Sequence, residues 1–383
     1  SPGSFEPRII QELELERHGL HFRRMDPTLV HHFPEKPFIS WRDRSRTDEQ
    51  LNRLCPGEAD RFHNLVQELE NLAVALNISL FRPDRDLQKA REKLSRDHRC
   101  LFDEVFTGSL QSFLDARLRT TQAKALLGMV ALNVTMAPPS QPGTAVGLML
   151  RPISKVSSAE AGADDPRRIP LRGSTGLPIG GMGAIADSLE SCCRAHGVDI
   201  RPNTKVSKIL HEEERVSAVV SERGEEFSAP IIISAINPQT AFKLLDDGAV
   251  PETMQEDIAA LPMSGSAFKL VLALDRIPDY AGLPDGLEND TAAATQFRIG
   301  SSLSHIEEVI RAAQSGEIPA HPLIWGLIPS LTTPELAPEG KHLLSANVWH
   351  APYAPNSGSW EDSQDWFRDR CIDAISDLMP NLK

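Results

Sequence analysis

Residues 180–189 read Gly-Gly-Met-Gly-Ala-Ile-Ala-Asp-Ser-Leu, and the stretch they open closes at residues 231–238 with Ile-Ile-Ile-Ser-Ala-Ile-Asn-Pro. Glycines at 180, 181 and 183 permit a left-handed or closely approached backbone just ahead of a helix. In that helix Ile185, Leu189 and Cys192/Cys193 recur at helical spacing, and Gly197 marks its C-terminal stop. Strands are predicted at Val198–Ile200 and Val206–Leu210. A charged turn, Glu212 to Arg215, leads to a third at Val216–Val220. After a turn at Gly224–Glu225, the unalternating run Ile231–Ile236 has the composition of a strand buried on both faces.

Working outward toward the N-terminus, Pro7–His18 is predicted as a helix ended by Gly19, with His18 capping the end of its own helix. Leu29–Phe33 and Phe38–Trp41 flank Pro34-Glu35-Lys36-Pro37 and read as a hairpin. Adjacent His31 and His32 then point to opposite faces, which argues against a shared metal. From Thr47 to Met136 the periodicity is helical. Phe62, Leu65, Leu69, Leu72 and Leu76 form one apolar stripe. Phe102, Val105, Phe106, Leu110, Phe113 and Leu114 form another, weakened by Gly108. Pro138–Ala145 breaks the helical pattern, and Ser157–Gly176 reads as a surface loop.

Toward the C-terminus the pattern predicts short helices at Gln239–Leu245 and Glu252–Leu261 and strands at Ala267–Leu274 and Gln296–Ile299. A helix at Ser302–Gln314 follows, then strands at Leu323–Ile328 and Leu343–Val348. A final helix, Trp360–Met379, has Trp366, Ile372 and Ile375 facing inward.

Composition narrows the function. A formal charge of −13 and a pI near 5.4 exclude a general phosphate-neutralising surface, so no nucleic-acid partner is expected. The run Arg82–Arg99 carries seven basic and four acidic residues; it reads as a solvated helix face, with a peripheral membrane contact as the alternative. Five cysteines without Cys-x-x-Cys or zinc spacing read as reduced packing residues and point to a cytoplasmic or mitochondrial-matrix setting. Ala125–Val134, the longest apolar candidate, falls short of the ~20 residues a membrane span needs. The chain starts Ser-Pro-Gly-Ser, without an initiator Met, and its start reads as processed or cropped. No Gly-x-Ser-x-Gly, His-Glu-x-x-His or phosphate loop is present.

The ordered set from Gly180 to Pro238 resembles the middle of FAD-dependent, phytoene desaturase-like oxidoreductases. Val198-Asp-Ile-Arg-Pro-Asn-Thr-Lys-Val-Ser-Lys-Ile209, Leu13-Glu-Leu-Glu-Arg-His-Gly-Leu20, Pro142-Gly-Thr-Ala145 and Ile328-Pro-Ser-Leu-Thr-Thr-Pro-Glu-Leu-Ala-Pro-Glu-Gly-Lys-His342 add to it. Within that family the likeness is to the group of pyridine nucleotide-disulphide oxidoreductase domain-containing protein 2.

The resemblance implies a mixed α/β (α+β) fold. Residues 1–176 would be the first part of a substrate domain, with a helical insertion roofing an apolar channel. Residues 177–238 would be an incomplete FAD-binding domain with a β-meander, and 239–383 the rest of the substrate domain with its mixed sheet. It implies FAD as cofactor and an apolar, polyene-like small molecule as substrate, undergoing desaturation or isomerisation. Gly180, Gly181, Met182 and Gly183 would lie near the flavin, Lys205 and Val206 at the adenine end, and Ala235 and Asn237 where the buried strand leaves the cofactor.

The resemblance brings no catalytic acid or base, and no metal is expected. The sequence has no Gly-x-Gly-x-x-Gly turn between a first strand and helix, where a dinucleotide pyrophosphate would sit. The strand that should precede Gly180 reads as missing. The chain is therefore expected to be truncated at both ends and to hold no stoichiometric FAD alone. A non-catalytic binding or scaffold protein with the same shell is the alternative.

Overall fold

The computed structural model describes residues 5, 7–78, 86–132, 135–157, 176–212, 215–246, 249–263 and 267–383. The loop expected at Ser157–Gly176, the Glu213-Glu214 turn and the start of the basic run at Arg82 lie largely outside them. The chain divides into two compact units, Ser1–Cys192 with Gly265–Lys383, and Cys193–Ser264.

The larger unit contains a two-stranded ladder and a six-stranded sheet. Its strands are β1 (Phe22–Arg23), β2 (Leu29–His32), β3 (Phe38–Ser40) and β4 (Leu177–Pro178). The smaller unit contributes β5 (Val206–Glu212), β6 (Arg215–Ser221) and β7 (Glu226–Ser228). The larger unit resumes with β8 (Ala267–Leu274), β9 (Phe297–Ile299), β10 (Leu323–Leu327) and β11 (His342–Trp349). The large sheet has the order β3-β2-β9-β10-β11-β8; β2 and β9 run parallel and every other pair antiparallel. The fold class is thus the mixed α/β one expected.

One face of this sheet is apolar. Val30 pairs with Phe297, Phe297 with Gly326, Gly326 with Ala346 and Ala346 with Leu270, and residues in register share a face. Gly326 is required here because the Phe297 ring fills its side-chain space: a Cβ on Gly326 would lie 2.3 Å from the ring. The C-terminal helix Trp360–Ser376 covers this face with Phe367, Cys371 and Ile375, all fully buried at i, i+4, i+8 spacing. Trp366, expected inward, is instead 46% exposed with the Arg370 guanidinium 5.5 Å from its ring. The sheet selects the next residue, because Phe268 of β8 meets Phe367 edge-on at 5.1 Å.

The expected helical stretch contains helices Arg44–Leu54, Glu58–Leu76, Leu87–Glu92, Arg96–Phe106, Leu110–Asp115 and Thr121–Ala131. The second apolar stripe belongs to two helices rather than one. The chain breaks at Gly108 and restarts with Ser109, whose side chain accepts from the Ser112 N–H. Arg44–Leu54 packs its Leu51 with Phe33, Phe38, Ala125 and Leu126, whereas the other helices and Leu303–Gln314 share one core that includes Leu72, Leu127, Ile306 and Ile310. Glu58, fully buried, ties two of them together by accepting from the Arg119 and Thr120 N–H groups and the Thr120 hydroxyl.

Near the N-terminus the expected single helix is a short one, Pro7–Glu12, followed by a 3-10 turn at Leu15–His18. Glu14 between them is left-handed at φ 48°, which interrupts the helical ladder. His18 does not cap its own helix; its Nδ1 shares a 2.9 Å hydrogen bond with the Ser191 hydroxyl.

The smaller unit is a β5-β6-β7 meander with helices Pro238–Phe242 and Glu252–Ala259. Two expectations fail here. Val198–Ile200 is not a strand: the Val198 N–H reaches back to the Cys193 carbonyl and the Gly197 N–H to Arg194, closing the helix Gly183–Ala195. Ile231–Ile236 is not a buried strand either, with Ile231 77%, Ile233 87% and Ile236 51% exposed. A strand apolar on both sides needs neighbours along its edges and cover on its faces. Among the described residues no strand pairs with it.

Candidate functional site

The other face of the six-stranded sheet is chemically unlike the first. His31 lies opposite Arg298, Arg298 opposite Trp325, Trp325 opposite Asn347 and Asn347 opposite Lys269. Five polar or amphipathic side chains thus form one row across β2, β9, β10, β11 and β8. Burial is graded along it. His31 and Arg298 are buried, Trp325 and Asn347 half-buried, and Lys269 exposed at the β8 edge.

The buried end is under electrostatic tension. Arg298 is 1% exposed, its guanidinium 3.7 Å from the Trp325 ring centroid, and its Nε and Nη2 have no hydrogen-bond partner among the described residues. Burial, and secondarily the charge of Arg151, pulls its pKa down from 12.5 to about 9. His31 donates from Nε2 to the Gly300 carbonyl at 2.9 Å, which leaves Nδ1 as a buried lone pair without a donor. Burial lowers its pKa to about 3 against the opposing Gly300 bond, and Arg298 adds to the lowering, so it is neutral. Phe33 stacks on its ring at 4.5 Å. Toward the open edge the groups are satisfied: Trp325 Nε1 donates to Gln296 at 3.0 Å, and Lys269 Nζ donates to Ser345 at 2.7 Å.

A cavity of about 540 Å³ elsewhere in this unit is lined by His32, His305, His321 and Asp377. Its central imidazole is already satisfied. His305 donates from Nε2 to the His321 carbonyl and accepts at Nδ1 from the Ser301 N–H. Among the described residues no cluster of His, Cys, Asp and Glu has metal-binding geometry, and all five thiols are free. Cys192 is buried beside Leu15 and Leu20, as a packing residue is. No described helix is long and apolar enough to cross a membrane.

The residues singled out from the sequence fall into separate places. Gly180 and Gly181 form a left-handed turn at φ 91° and 78°, followed by exposed Met182 and by Gly183, the first residue of its helix. The turn is anchored by the Gly180 N–H donating to Thr333 at 3.2 Å. Contrary to the sequence reading, a strand does precede it. That strand is the two-residue β4, antiparallel to β1, and does not begin a parallel βαβ unit. The other four residues lie in the smaller unit. Lys205 pairs with exposed Glu222, and Val206 opens β5 opposite Ser221 beside a bulge. Ala235 is exposed, and Asn237 caps Pro238–Phe242 through the Thr240 N–H.

The family pattern of flavin-containing amine oxidoreductases matches residues 14–381. The chain belongs to that family. Among curated relatives, pyridine nucleotide-disulfide oxidoreductase domain-containing protein 2 of Rattus norvegicus is 25% identical over 98% of this chain, and that of Mus musculus 24%. The chain spans 69% of the length of each. A 4,4'-diapolycopen-4-al dehydrogenase of Metabacillus indicus is 26% identical over 53% of this chain and 37% of its own length. Two solved structures share the fold. The PF1083 protein of Pyrococcus furiosus has TM-score 0.55 and 14% identity, covering 97% of this chain and 69% of that one. A reduced UDP-galactopyranose mutase has TM-score 0.50 and 10% identity, covering 97% and 65%.

The family implies a flavin; at Gly180–Gly183, where the resemblance would set it, the backbone is bare of side chains apart from exposed Met182. Its two left-handed glycines carry no side chain, and a Cβ on Gly183 would meet nothing within 4 Å. The Gly-x-Gly-x-x-Gly turn that would hold a dinucleotide pyrophosphate is not in the sequence.

Sequence reading named His31 only as one of two histidines that could not share a metal, and missed the rest of the polar row. Its one available signal was Arg298 between Phe297 and Ile299, a charge inside an apolar strand.

Proposed function

We propose that the chain provides the substrate side of a flavin-dependent oxidoreductase acting on an apolar, polyene-like molecule. The observation that carries this reading is the polar row itself. One face of the sheet is sealed by its helix, while the other runs from buried Arg298 past a half-buried Trp325 to an exposed edge at Lys269. A site for an elongated apolar molecule pairs apolar surface with a few fixed polar groups that orient one end, and Leu327, Leu343 and Val271 stand on the same face as the row. The name of the Metabacillus indicus relative, a dehydrogenase of a diapolycopene aldehyde, supports the substrate class.

Oxidation–reduction is the chemistry a bound flavin supplies. The contribution of this chain is placement. Gly180, Gly181, Met182 and Gly183 would let the ring system approach the backbone, and Lys205 and Val206 would meet the adenine end. Ala235 and Asn237 would lie where the chain turns back to the substrate side. On this reading residues 1–176 and 239–383 are substrate domain and 177–238 belong to the cofactor domain.

The test uses all-trans-retinal, a polyene aldehyde, titrated into the purified chain with and without added FAD. Saturable binding that Trp325→Ala weakens by about ten-fold is expected, since a large aromatic contact of this kind is worth ~1.5–3 kcal/mol. Absence of binding, or equal binding by the variant, would sink the substrate assignment. The flavin retained after gel filtration reads the cofactor assignment separately.

A further inference from the structure

Arg298 is a cation placed where nothing in the described fold neutralises it. Its Nε and Nη2 are buried and have no partner among the described residues, and the charge that acts on it, that of Arg151, carries the same sign. A guanidinium in such surroundings is strongly destabilising unless an anion meets it. The two unpartnered nitrogens are not arbitrary. Nε and Nη2 lie on one edge of the guanidinium, the edge whose parallel N–H groups match the two oxygens of a carboxylate. The same chain shows that match elsewhere: Arg91 donates from Nε and Nη2 to the two carboxylate oxygens of Asp103 at 2.7 and 2.6 Å. At Arg298 the same edge is present and no carboxylate meets it among the described residues. Trp325, stacked on the guanidinium, fixes the plane in which that edge lies.

We propose that the Nε–Nη2 edge of Arg298 is a subsite for the carboxylate end of an apolar ligand. The inference rests on the reading of this face as the substrate side and adds that the ligand is an acid, or is bound as one. The apolar body of such a ligand would run along the sheet from Trp325 toward β8, where the face opens.

The subsite is tested on the full chain with palmitate, hexadecanol and hexadecyl phosphate, used below their aggregation concentrations. Binding is followed by calorimetry and by the tryptophan emission to which Trp325 contributes. Palmitate should bind at least about ten-fold more tightly than hexadecanol, because hydrogen bonds to charged groups are the strong ones. Arg298→Met should erase that preference, and Arg298→Lys, which keeps the charge but loses the fork, should retain only part of it. Palmitate should raise the melting temperature of the unaltered chain and not that of Arg298→Met. Equal binding of acid and alcohol, an undiminished preference in Arg298→Met, or tighter binding of the phosphate would each overturn the carboxylate assignment. So would an Arg298→Met chain that fails to fold, since that would show the charge to be compensated within the protein. No arm requires flavin, so failure of the cofactor reading and failure of this subsite are separate results.

Discussion

The two faces of the six-stranded sheet are made from the same strands, one residue apart, yet they obey different rules. On the apolar face Phe297, Ile324, Ala346 and Val348 are fully buried and closed off by the final helix. On the other face Arg298 and His31 are just as buried, but Arg298 Nε and Nη2 and His31 Nδ1 have no partner among the described residues. The first arrangement is what stability alone selects. The second holds desolvated, unsatisfied groups that stability alone selects against. That contrast makes the polar row the functional candidate.

The contrast is most easily broken from the apolar side. Phe297→Ala removes a ring packed into the space above Gly326 and should lower stability by ~3–5 kcal/mol, measured by urea unfolding. A loss below ~1 kcal/mol would mean that the face is less tightly packed than its burial indicates.

His31 sharpens the comparison through pH. Its folded pKa is depressed to about 3, whereas the unfolded chain takes up a proton near 6.5. The unfolded state therefore binds more protons between these values, so stability falls as pH is lowered from 6.5 toward 3. The contribution to the slope approaches ~1.4 kcal/mol per pH unit, and His31→Gln should flatten it. An unchanged slope in that variant would mean that His31 is not the group responsible.

Lys269, at the open end of the row, gives the smallest effect. Lys269→Ala should change stability by no more than ~0.5 kcal/mol, since its bonds to Ser345 and Asn347 are made at an exposed edge. A larger loss in thermal unfolding would show that this edge is covered in solution.

Much of the fold was legible in the sequence, because local pattern and tertiary partner agree there. The strands expected at Ala267–Leu274 and Leu343–Val348 are β8 and β11, and the Pro34–Pro37 turn gave the β2–β3 hairpin. Ile231–Ile236 misled because apolarity states what a segment requires, not what is beside it. Trp366 misled because a helix with apolar residues on adjacent positions is oriented by the surface it meets. The candidate site was illegible for a different reason. His31 and Arg298 are 267 residues apart in the chain and become neighbours only through the parallel pairing of β2 with β9. No spacing rule relates residues that a sheet register brings together. The residues near Gly180 and Val206 were found by resemblance; the structure places them in a turn and at a strand start, in different units.

Phe297 and Gly326 also constrain how this sheet is able to change over generations. A side chain at 326 collides with the ring at 297, and a small residue at 297 leaves a hole above 326. Either single step passes through a damaged protein, so the two positions are expected to be inherited as a linked pair. Lineages that have exchanged the bulk between them should show both replacements or neither.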